Sequence, residues 1–350
     1  MATMLDYIRN NQESMMQKQF NEVDAMVFAQ LAYYDFDLLD SPTTFSQFSD
    51  ISLQDRLIEK SHQSRELLQV IADSTRFKSI TWCNPKVVTD PKQEIQFGAV
   101  IFQLPTGQAV IAYRGTPAIP VGWKEDFNMT YRRVIPAQRL ALTYFKNWLR
   151  KHHQQPVYLV GHSKGGNLAT YVALNASRVQ QEKIIDVYNF DGPGFLRQEK
   201  RFEERLASLK PKIHKYVPQQ ALIGLLLDDS LDYQVVVSKG VGPLQHFITN
   251  WEIDGDHLVQ ADDLFSVSVW TKEVIDNWLD QLSPDEMRSF LSYGYQVAEQ
   301  SNLTYFRDLY TLNKLFLVAK STRELSPSAF EMTKNILRKL LNSMVKQRFS

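Results

Sequence analysis

The spacing of apolar positions changes twice along the 350 residues and divides the chain into three stretches. Residues 21–34 and 50–71 carry apolar side chains at helical spacing, which predicts a helical lead-in. From residue 96 onward, short apolar and β-branched runs alternate with amphipathic segments, as strands and helices do. From Thr271 onward the pattern is helical again, and Ser283-Pro284 and Ser326-Pro327 mark helix starts.

The middle stretch predicts an α/β fold with a mostly parallel central sheet covered by helices. Pro105-Thr106-Gly107 joins the first two strand-like runs, and its length and its glycine favour a hairpin. The later runs are separated by segments long enough for crossover helices. The predicted strands are residues 96–104, 108–113, 157–160, 184–190, 213–217 and 233–238, and the predicted helices are residues 138–151, 167–177 and 199–209.

The same pattern indicates two units. We expect an α/β domain over residues 1–280, which includes the N-terminal helices of residues 1–76, and a C-terminal helical extension over residues 281–350. The last helix is expected to dock on its own domain first, and on an anionic membrane surface or a partner second. Its apolar face is formed by Leu337, Leu340, Leu341, Met344 and Val345, and its cations are Lys334, Arg338, Lys339, Lys346 and Arg348.

A glycine-flanked serine stands between a predicted strand and a predicted helix. The segment Gly161-x-Ser163-x-Gly165 links residues 157–160 to residues 167–177, which is the context of a nucleophile elbow. The N-terminus of the following helix favours negative charge that develops beside the serine. A turn that only packs closely or binds phosphate is the alternative, but neither G-x-x-x-x-G-K-[ST] nor G-x-G-x-x-G occurs here. We therefore predict Ser163 to be a nucleophile.

A serine nucleophile needs a histidine base, and three histidines follow Ser163 in the chain. His214 lies inside a predicted strand, where a structural role is more natural. His246 follows the strand of residues 233–238 through a glycine-rich loop, which would place it above the sheet edge. His246 is therefore the predicted base, and His257 is the reserve.

The base in turn needs an acid to orient it. Asp191 ends the predicted strand of residues 184–190 and is followed by Gly192-Pro193-Gly194, a turn at the carboxyl edge of the sheet. Asp228 and Asp229 compete for this role because they follow another apolar run. A turn aspartate that bonds its own backbone would also explain Asp191. Asp191 is the predicted acid.

Two N–H donors are expected to form an oxyanion hole. The amide of Lys164 directly follows the nucleophile, and Thr116, in the loop after residues 108–113, could offer both its N–H and its hydroxyl. Residues 117–122 are apolar and could form a flap that contacts an acyl chain, although a packed loop explains them equally well. The expected substrate-binding residues are Ile119, Val121 and His162.

Composition excludes several classes of protein. Apolar residues make up 44% and charged residues 22% of the chain, and 39 basic residues balance 39 acidic ones, which argues against nucleic acid as a partner. The single cysteine, Cys83, fits a reducing compartment. Residues 1–20 lack the apolar core of a secretory signal and no run approaches a membrane span, so we expect a cytoplasmic location. His152-His153 lacks a metal-binding pattern, so we expect no metal and no cofactor.

Several motifs together resemble a known family. The segments Tyr113-Arg114-Gly115-Thr116, Trp123-x-x-Asp126 and Gly161-His162-Ser163-Lys164-Gly165-Gly166 resemble those of the fungal-type (class 3) lipases and recur in the same order. Four further segments are Phe20-Asn21-Glu22-Val23-Asp24-Ala25, the run from Asn189 to Phe195, Tyr216-Val217-Pro218-Gln219 and Gln245-His246-Phe247. With these, the chain more closely resembles a bacterial family of uncharacterised lipase-like α/β-hydrolases, over most of residues 1–280. This resemblance implies an α/β-hydrolase fold with Ser163 as nucleophile, His246 as base, and Thr116 with Lys164 as the oxyanion hole.

One departure from the lipase pattern concerns the acid. Class 3 lipases take it from a D-x-V-P segment, and this chain has Lys215 where that aspartate would stand. The segment from Asp191 to Phe195 instead resembles the aspartate segment of pancreatic-type lipases. The sequence therefore predicts a serine hydrolase of lipid-like or apolar carboxylic esters. A non-catalytic protein that keeps the fold as a binding module is the alternative, and the sequence does not predict the oligomeric state.

Overall fold

The computed structural model describes residues 1–39, 43–58, 64–117, 120–196, 200–227, 230–301 and 326–348. Its strands are β1 (Thr81–Asp90), β2 (Ile95–Gln103), β3 (Ala109–Tyr113), β4 (Val157–His162), β5 (Ile184–Phe190), β6 (Ile213–Pro218), β7 (Gln234–Val236), β8 (Ile253–Asp254) and β9 (His257–Leu258). Its helices are α1 (Met4–Asn10), α2 (Glu22–Leu31), α3 (Ile51–Leu57), α4 (Arg65–Asp73), α5 (Pro120–Asn128), α6 (Pro136–Lys151), α7 (Lys164–Asn175), α8 (Arg178–Gln181), α9 (Lys200–Leu209), α10 (Ser266–Leu279), α11 (Pro284–Gln300) and α12 (Pro327–Arg348).

Seven strands form one sheet in the order β1-β2-β3-β4-β5-β6-β7. The pairs β1–β2 and β2–β3 are antiparallel, and every later pair is parallel. The predicted hairpin between β2 and β3 is confirmed, and so is the α/β-hydrolase fold class with its mostly parallel sheet. The sequence did not predict β1, because this edge strand contains Pro85 and its register shifts between Cys83 and Lys86.

The two faces of the sheet are covered by different parts of the chain. Because strands β3 to β7 are added in one direction and crossovers are right-handed, the connecting helices fall on one face. Helices α6, α7 and α9 share a buried cluster there with alternate strand residues such as Ile111 and Leu159. Val27 and Phe28 of α2 pack on the other face with Val110 and Val160. The N-terminal helices are therefore a structural layer of the sheet domain.

Helix α2 begins at a site that the sequence defines well. Asn21 caps the helix and forms a reciprocal capping box with Asp24. The buried carboxylate of Asp24 also accepts a hydrogen bond from Arg76 Nε at 2.7 Å and one from the Tyr7 hydroxyl at 2.9 Å. These bonds tie α1, α2 and the segment after α4 together, so the N-terminal helices reach the sheet as one packed layer.

The C-terminal helices pack against one another, and the predicted helix starts at Pro284 and Pro327 are confirmed. Trp278 Nε1 of α10 donates to the Ile336 carbonyl at 3.0 Å, and Lys339 Nζ of α12 lies 2.8 Å from Glu286 Oε1 of α11. Helix α11 also approaches α5, where Lys124 Nζ lies 5.4 Å from the centre of the Tyr295 ring. Among the described helices, none combines the length and apolar character that crossing a bilayer requires.

The face of α12 that packs is not the face predicted to pack. Ala329, Ile336 and Ser343 are buried, whereas Leu337 and Leu341 are 44% and 61% exposed. Met344 and Val345 are also exposed. The expectation that the leucine-rich face docks on the parent domain is therefore wrong for these residues. The reason is that Trp278 of α10 bonds to Ile336, and Gln281, two residues after α10, bonds to Ser343. These two bonds fix the rotation of α12 about its axis.

Candidate active site

Ser163 occupies a strained turn between a strand and a helix. It follows β4 directly, α7 begins at the next residue, and its backbone has φ 58° and ψ −132°, which is unusual for a residue with a side chain. A Cβ on Gly161 would lie 2.2 Å from the Gly165 carbonyl carbon, and one on Gly165 would lie 2.1 Å from the Tyr113 carbonyl oxygen. Only glycine fits at both positions. The strand, tight turn and helix predicted around Ser163 are confirmed.

The structure brings Asp191 and His246 together. His246 Nδ1 lies 2.6 Å from Asp191 Oδ2, the carboxylate is buried, and the His246 side chain is 23% exposed. The Gly224 N–H donates to the other carboxylate oxygen, Oδ1, at 3.0 Å. Because a carboxylate can only accept, Nδ1 carries the proton of this bond, and Nε2 is left as the acceptor nitrogen. This is the tautomer that a general base for a serine requires.

The other candidate histidines lie away from this pair. His214 Nε2 is 3.0 Å from Asp186 Oδ1, at the end of the sheet where β6 begins. His257 lies in the β8–β9 hairpin, where its side chain is 78% exposed and its nearest charged partner is Glu22. Asp228 and Asp229, the competing acids, lie outside the described residues.

Lys215 stands where a class 3 lipase would carry its acid. It lies on β6 and is buried. Asp191 comes from the end of the preceding strand, β5, and its carboxylate reaches the His246 ring from there. The end of β5 thus supplies an acid next to the histidine, although the D-x-V-P position on β6 is occupied by lysine.

The predicted oxyanion hole consists of two backbone N–H groups, those of Thr116 and Lys164. The Thr116 hydroxyl donates to Asp126 Oδ2 at 2.5 Å, so the N–H of Thr116 is the group left for an oxyanion. Lys164 is the first residue of α7, and the N–H of a first helical residue has no partner within the helix. These two backbone donors have the character that an oxyanion hole needs.

The Lys164 side chain does not point to solvent. Its ammonium group is buried and contacts Gln96 Oε1 at 2.6 Å, the Gln96 carbonyl at 3.0 Å and Glu125 Oε2 at 3.1 Å. Asp126 Oδ1 makes no hydrogen bond, and it lies 3.4 Å from the same ammonium group. Burial raises the pKa of Glu125 and of Asp126, and the nearby Lys164 charge opposes that rise. The sequence had suggested a role for the Lys164 amide only.

His162, predicted to bind substrate, is held by protein groups on both sides of its ring. Its Nε2 lies 2.7 Å from the His246 carbonyl oxygen, and its Nδ1 lies 2.9 Å from the Tyr33 hydroxyl. The carbonyl can only accept, so Nε2 donates and the Tyr33 hydroxyl donates to Nδ1 of the neutral ring. Burial raises the pKa of Tyr33, which keeps its hydroxyl protonated. Substrate contact by His162 stays a prediction, and these bonds favour a role in positioning His246.

The N-terminal layer therefore reaches the site, which sequence reasoning missed. A Cβ on Gly115 would lie 2.0 Å from the Tyr33 hydroxyl, so this tyrosine packs against the residue before Thr116. Arg114 Nε donates to the Ala32 carbonyl at 2.6 Å, and its Nη1 lies 3.1 Å from Asp35 Oδ1. In the sequence, this contact with the site is indicated only by the density of aromatic and acidic residues after α2.

The predicted flap falls partly outside the described residues. Ile119, one of the expected substrate-binding residues, is among those not described. Val121 lies in the first turn of α5, and its side chain is also not described. Residues 120–122 are thus helical, so the expectation of a loop over residues 117–122 is wrong there. Pro120 explains the helix, because proline is favoured in a first helical turn.

No group of three or more histidine, cysteine, aspartate or glutamate side chains that could hold a metal ion occurs among the described residues. Cys83 is a free thiol, and burial raises its pKa, so little reactive thiolate forms near neutral pH.

The fold and the motifs define a lipase-like α/β-hydrolase. More specifically, the chain belongs to the family described as Mbeg1-like, which residues 71–296 match. No curated protein matches the chain with significance.

The chain is similar to three solved lipase structures over part of its length. The chain is 16% identical to M37 lipase, covering 58% of this chain and 69% of that one, with a TM-score of 0.39. It is 13% identical to a triacylglycerol lipase described as having a serine protease triad as its catalytic centre, covering 61% of this chain and 79% of that one, with a TM-score of 0.38. It is 12% identical to the Rhizomucor miehei lipase propeptide complex, covering 61% and 67%, with a TM-score of 0.39.

Proposed function

We propose that the protein is a serine hydrolase that cleaves carboxylic esters of lipid-like or otherwise apolar acids through an acyl-enzyme. The observation that carries the proposal is the 2.6 Å bond between buried Asp191 and His246. The loop of His246 is in turn bonded through its carbonyl to His162, the residue that precedes Ser163. Asp191 and His246 are thus bonded directly, and the His246 backbone is bonded to the residue next to Ser163.

The proposed reaction assigns one role to each group. His246 Nε2 takes the hydroxyl proton of Ser163 as the serine oxygen attacks the ester carbonyl, and Asp191 stabilises the imidazolium that forms. The N–H groups of Thr116 and Lys164 bind the oxyanion. The imidazolium then returns its proton to the leaving alcohol, and water attacks the acyl-enzyme by the same route to release the acid.

Features of the His246 loop support an apolar substrate. Val241 directly precedes the turn Gly242–His246 and Leu244 lies within it, and they are 74% and 56% exposed. Leu222 is 41% exposed. The Gln220 amide N–H bonds to Gln245 Oε1 at 2.7 Å, which holds the segment of Leu222 against this turn. Exposed aliphatic side chains beside a polar site suit an acyl chain. Ile119, Val121 and His162 complete the set that we propose to contact substrate.

The extent of the catalytic unit and its location are proposals as well. We propose that residues 1–280 form the catalytic domain and residues 281–350 a helical extension, because Tyr33 and Arg114 join the N-terminal layer to the site. The single cysteine supports a cytoplasmic location.

A fluorophosphonate probe tests the proposal directly. The purified chain is expected to be labelled on Ser163, and hydrolysis of p-nitrophenyl esters is expected to favour butyrate or longer acids over acetate. A folded protein that is neither labelled nor active on any ester in the series would contradict a hydrolase. That outcome would favour the alternative, a binding module that keeps the fold.

A further inference from the structure

The outward face of α12 carries apolar side chains that the described residues of the protein leave exposed. Leu337, Leu341, Met344 and Val345 are 44%, 61%, 38% and 58% exposed, and Phe330 is 40% exposed. Residues spaced by three, four or seven positions share a helical face, so these five side chains lie on one face, which also carries Lys334 between Phe330 and Leu337. Isolated exposed apolar residues are ordinary, but a stripe along four turns of one helix indicates a contact surface.

Basic residues border this stripe. Lys334 precedes Leu337 by three positions and Leu341 by seven, and Arg338 stands in the same relation to Leu341 and Val345. The Lys334 side chain is 51% exposed, and its ammonium group lies 3.1 Å from Glu331 Oε1 at the surface. Over residues 326–348 the sequence contains five cations, with Glu331 as the single acid. Long basic side chains can lie along an apolar surface and extend their charges beyond it.

The opposite side of α12 is already occupied, so the orientation of the stripe is fixed. Ile336 accepts a hydrogen bond from Trp278, Ser343 accepts one from Gln281, and Lys339 pairs with Glu286. These contacts come from α10, from α11 and from the short segment between them. The stripe therefore points away from the helices that hold α12. The helix can contact a partner through the stripe without detaching from the protein or rotating about its axis.

We propose that α12 docks the protein on an anionic lipid surface, with the stripe inserted at the acyl boundary and with Lys334 and Arg338 at the phosphate level. Charge complementarity selects this occupant. A second copy of the chain would bring the same cations together across a two-fold axis, with only Glu331 available to oppose them. Anionic lipid headgroups instead favour each Lys or Arg that comes near the membrane surface. The inference does not depend on the proposed hydrolase activity.

Vesicle sedimentation tests the docking with the full chain. The protein is expected to sediment with vesicles of equal parts phosphatidylcholine and phosphatidylglycerol, and to stay in solution with phosphatidylcholine alone. The double variant Leu337→Ser/Leu341→Ser is expected to lower the partition coefficient at least about tenfold, because it removes two side chains from the inserted face. Lys334→Gln/Arg338→Gln is expected to lower it about tenfold on anionic vesicles only.

A matched control removes apolar area elsewhere. Ile51 and Val179 are both 69% exposed and lie on α3 and α8, so Ile51→Ser/Val179→Ser is expected to bind vesicles like the parent protein. Unchanged circular dichroism and Tm confirm that each variant is folded.

Three outcomes would overturn the proposal. The first is a parent protein that does not sediment with anionic vesicles. The second is a Leu337→Ser/Leu341→Ser variant that binds as well as the control variant. The third is a parent dimer that this variant converts to a monomer without any change in vesicle binding, which would identify a second copy as the occupant.

Discussion

Lys164 Nζ lies 3.1 Å from Glu125 Oε2, and both side chains are buried directly behind the proposed oxyanion hole. Glu125 also accepts the N–H groups of Gln96 and Ala137 at 2.9 and 2.8 Å. The pair therefore ties the elbow helix α7 to β2, α5 and α6. A buried ion pair adds little net stability, but removing one partner leaves a buried charge, at a cost of about 3–5 kcal/mol. The pair thus fixes where α5 and its Asp126 can lie relative to Thr116.

We predict that Lys164→Met destabilises the protein and lowers kcat. The double variant Lys164→Met/Glu125→Gln removes both charges and is expected to recover most of the stability. Its kcat is expected to stay about tenfold or more below the parent value, because Asp126 and Thr116 lose the ammonium group that holds them. Urea unfolding and ester kinetics measure the two effects separately. Full recovery of kcat in the double variant would show that the ion pair serves stability alone.

Ser163→Ala is predicted to abolish probe labelling and to lower kcat by about 10⁴-fold or more, because loss of the nucleophile removes the acyl-enzyme route. The Ser163 side chain is partly exposed, so Tm is expected to change little. Labelling with fluorophosphonate and calorimetry on the same preparation check both statements. An alanine variant that hydrolyses esters at the parent rate would refute the assignment of Ser163.

Asp191→Asn is predicted to lower kcat by about 10⁴-fold with little change in KM, because His246 would lose the group that fixes its tautomer. Asp186→Asn is a matched control, since it breaks another aspartate–histidine pair of the same fold, with His214. That control is expected to keep parent kinetics. Asp228→Asn and Asp229→Asn complete the series. A normal Asp191→Asn enzyme beside an inactive Asp228→Asn or Asp229→Asn enzyme would move the acid to that position.

Tyr33→Phe is predicted to lower kcat about tenfold, because His162 loses the donor to Nδ1 and holds the His246 carbonyl less firmly. Tyr34→Phe is the neighbouring control, whose hydroxyl bonds to the Ser64 backbone instead. Each variant should cost about 1–2 kcal/mol of stability for its lost hydrogen bonds. Steady-state kinetics beside urea unfolding distinguish the two variants. Equal kcat values would show that Tyr33 acts only on stability.

The link between α11 and α12 is predicted to weaken in acid. The hydrogen bond from Lys339, with support from the Ser283 N–H, lowers the pKa of Glu286 from 4.5 to about 2. A lowered pKa stabilises the folded state fully above about pH 4.5, and the contribution is lost as the pH falls towards 2. Glu286→Gln is therefore expected to lower Tm at pH 7 by at most about 2 °C, since the pair is partly exposed. The difference in Tm between Glu286→Gln and the parent protein should shrink below pH 4.5. A Tm difference that stays constant with pH would contradict this prediction.

Local features of this chain could be predicted from sequence because their causes are local. The strand and helix around Ser163, the hairpin at Pro105-Thr106-Gly107 and the helix starts at Pro284 and Pro327 each depend on residues within a few positions. Asp191 and His246 could be nominated because parallel strands bring their carboxyl ends to one edge of the sheet. Their pairing at 2.6 Å could not be derived from spacing, since 55 positions separate them.

The amino-acid sequence alone determined the elbow, the α/β alternation and the residue types available at the sheet edge. Only the tertiary structure decided that the N-terminal helices cover a whole face of the sheet and bring Tyr33 to His162. It also decided that Lys164 turns inward to Glu125 and that Leu337 and Leu341 of α12 turn outward, whereas Leu340 is half-buried. Periodicity shows that a helix has an apolar face, but the direction of that face depends on which distant groups bond to the rest of the helix. In α12, the hydrogen bonds from Trp278 to Ile336 and from Gln281 to Ser343 fix that direction.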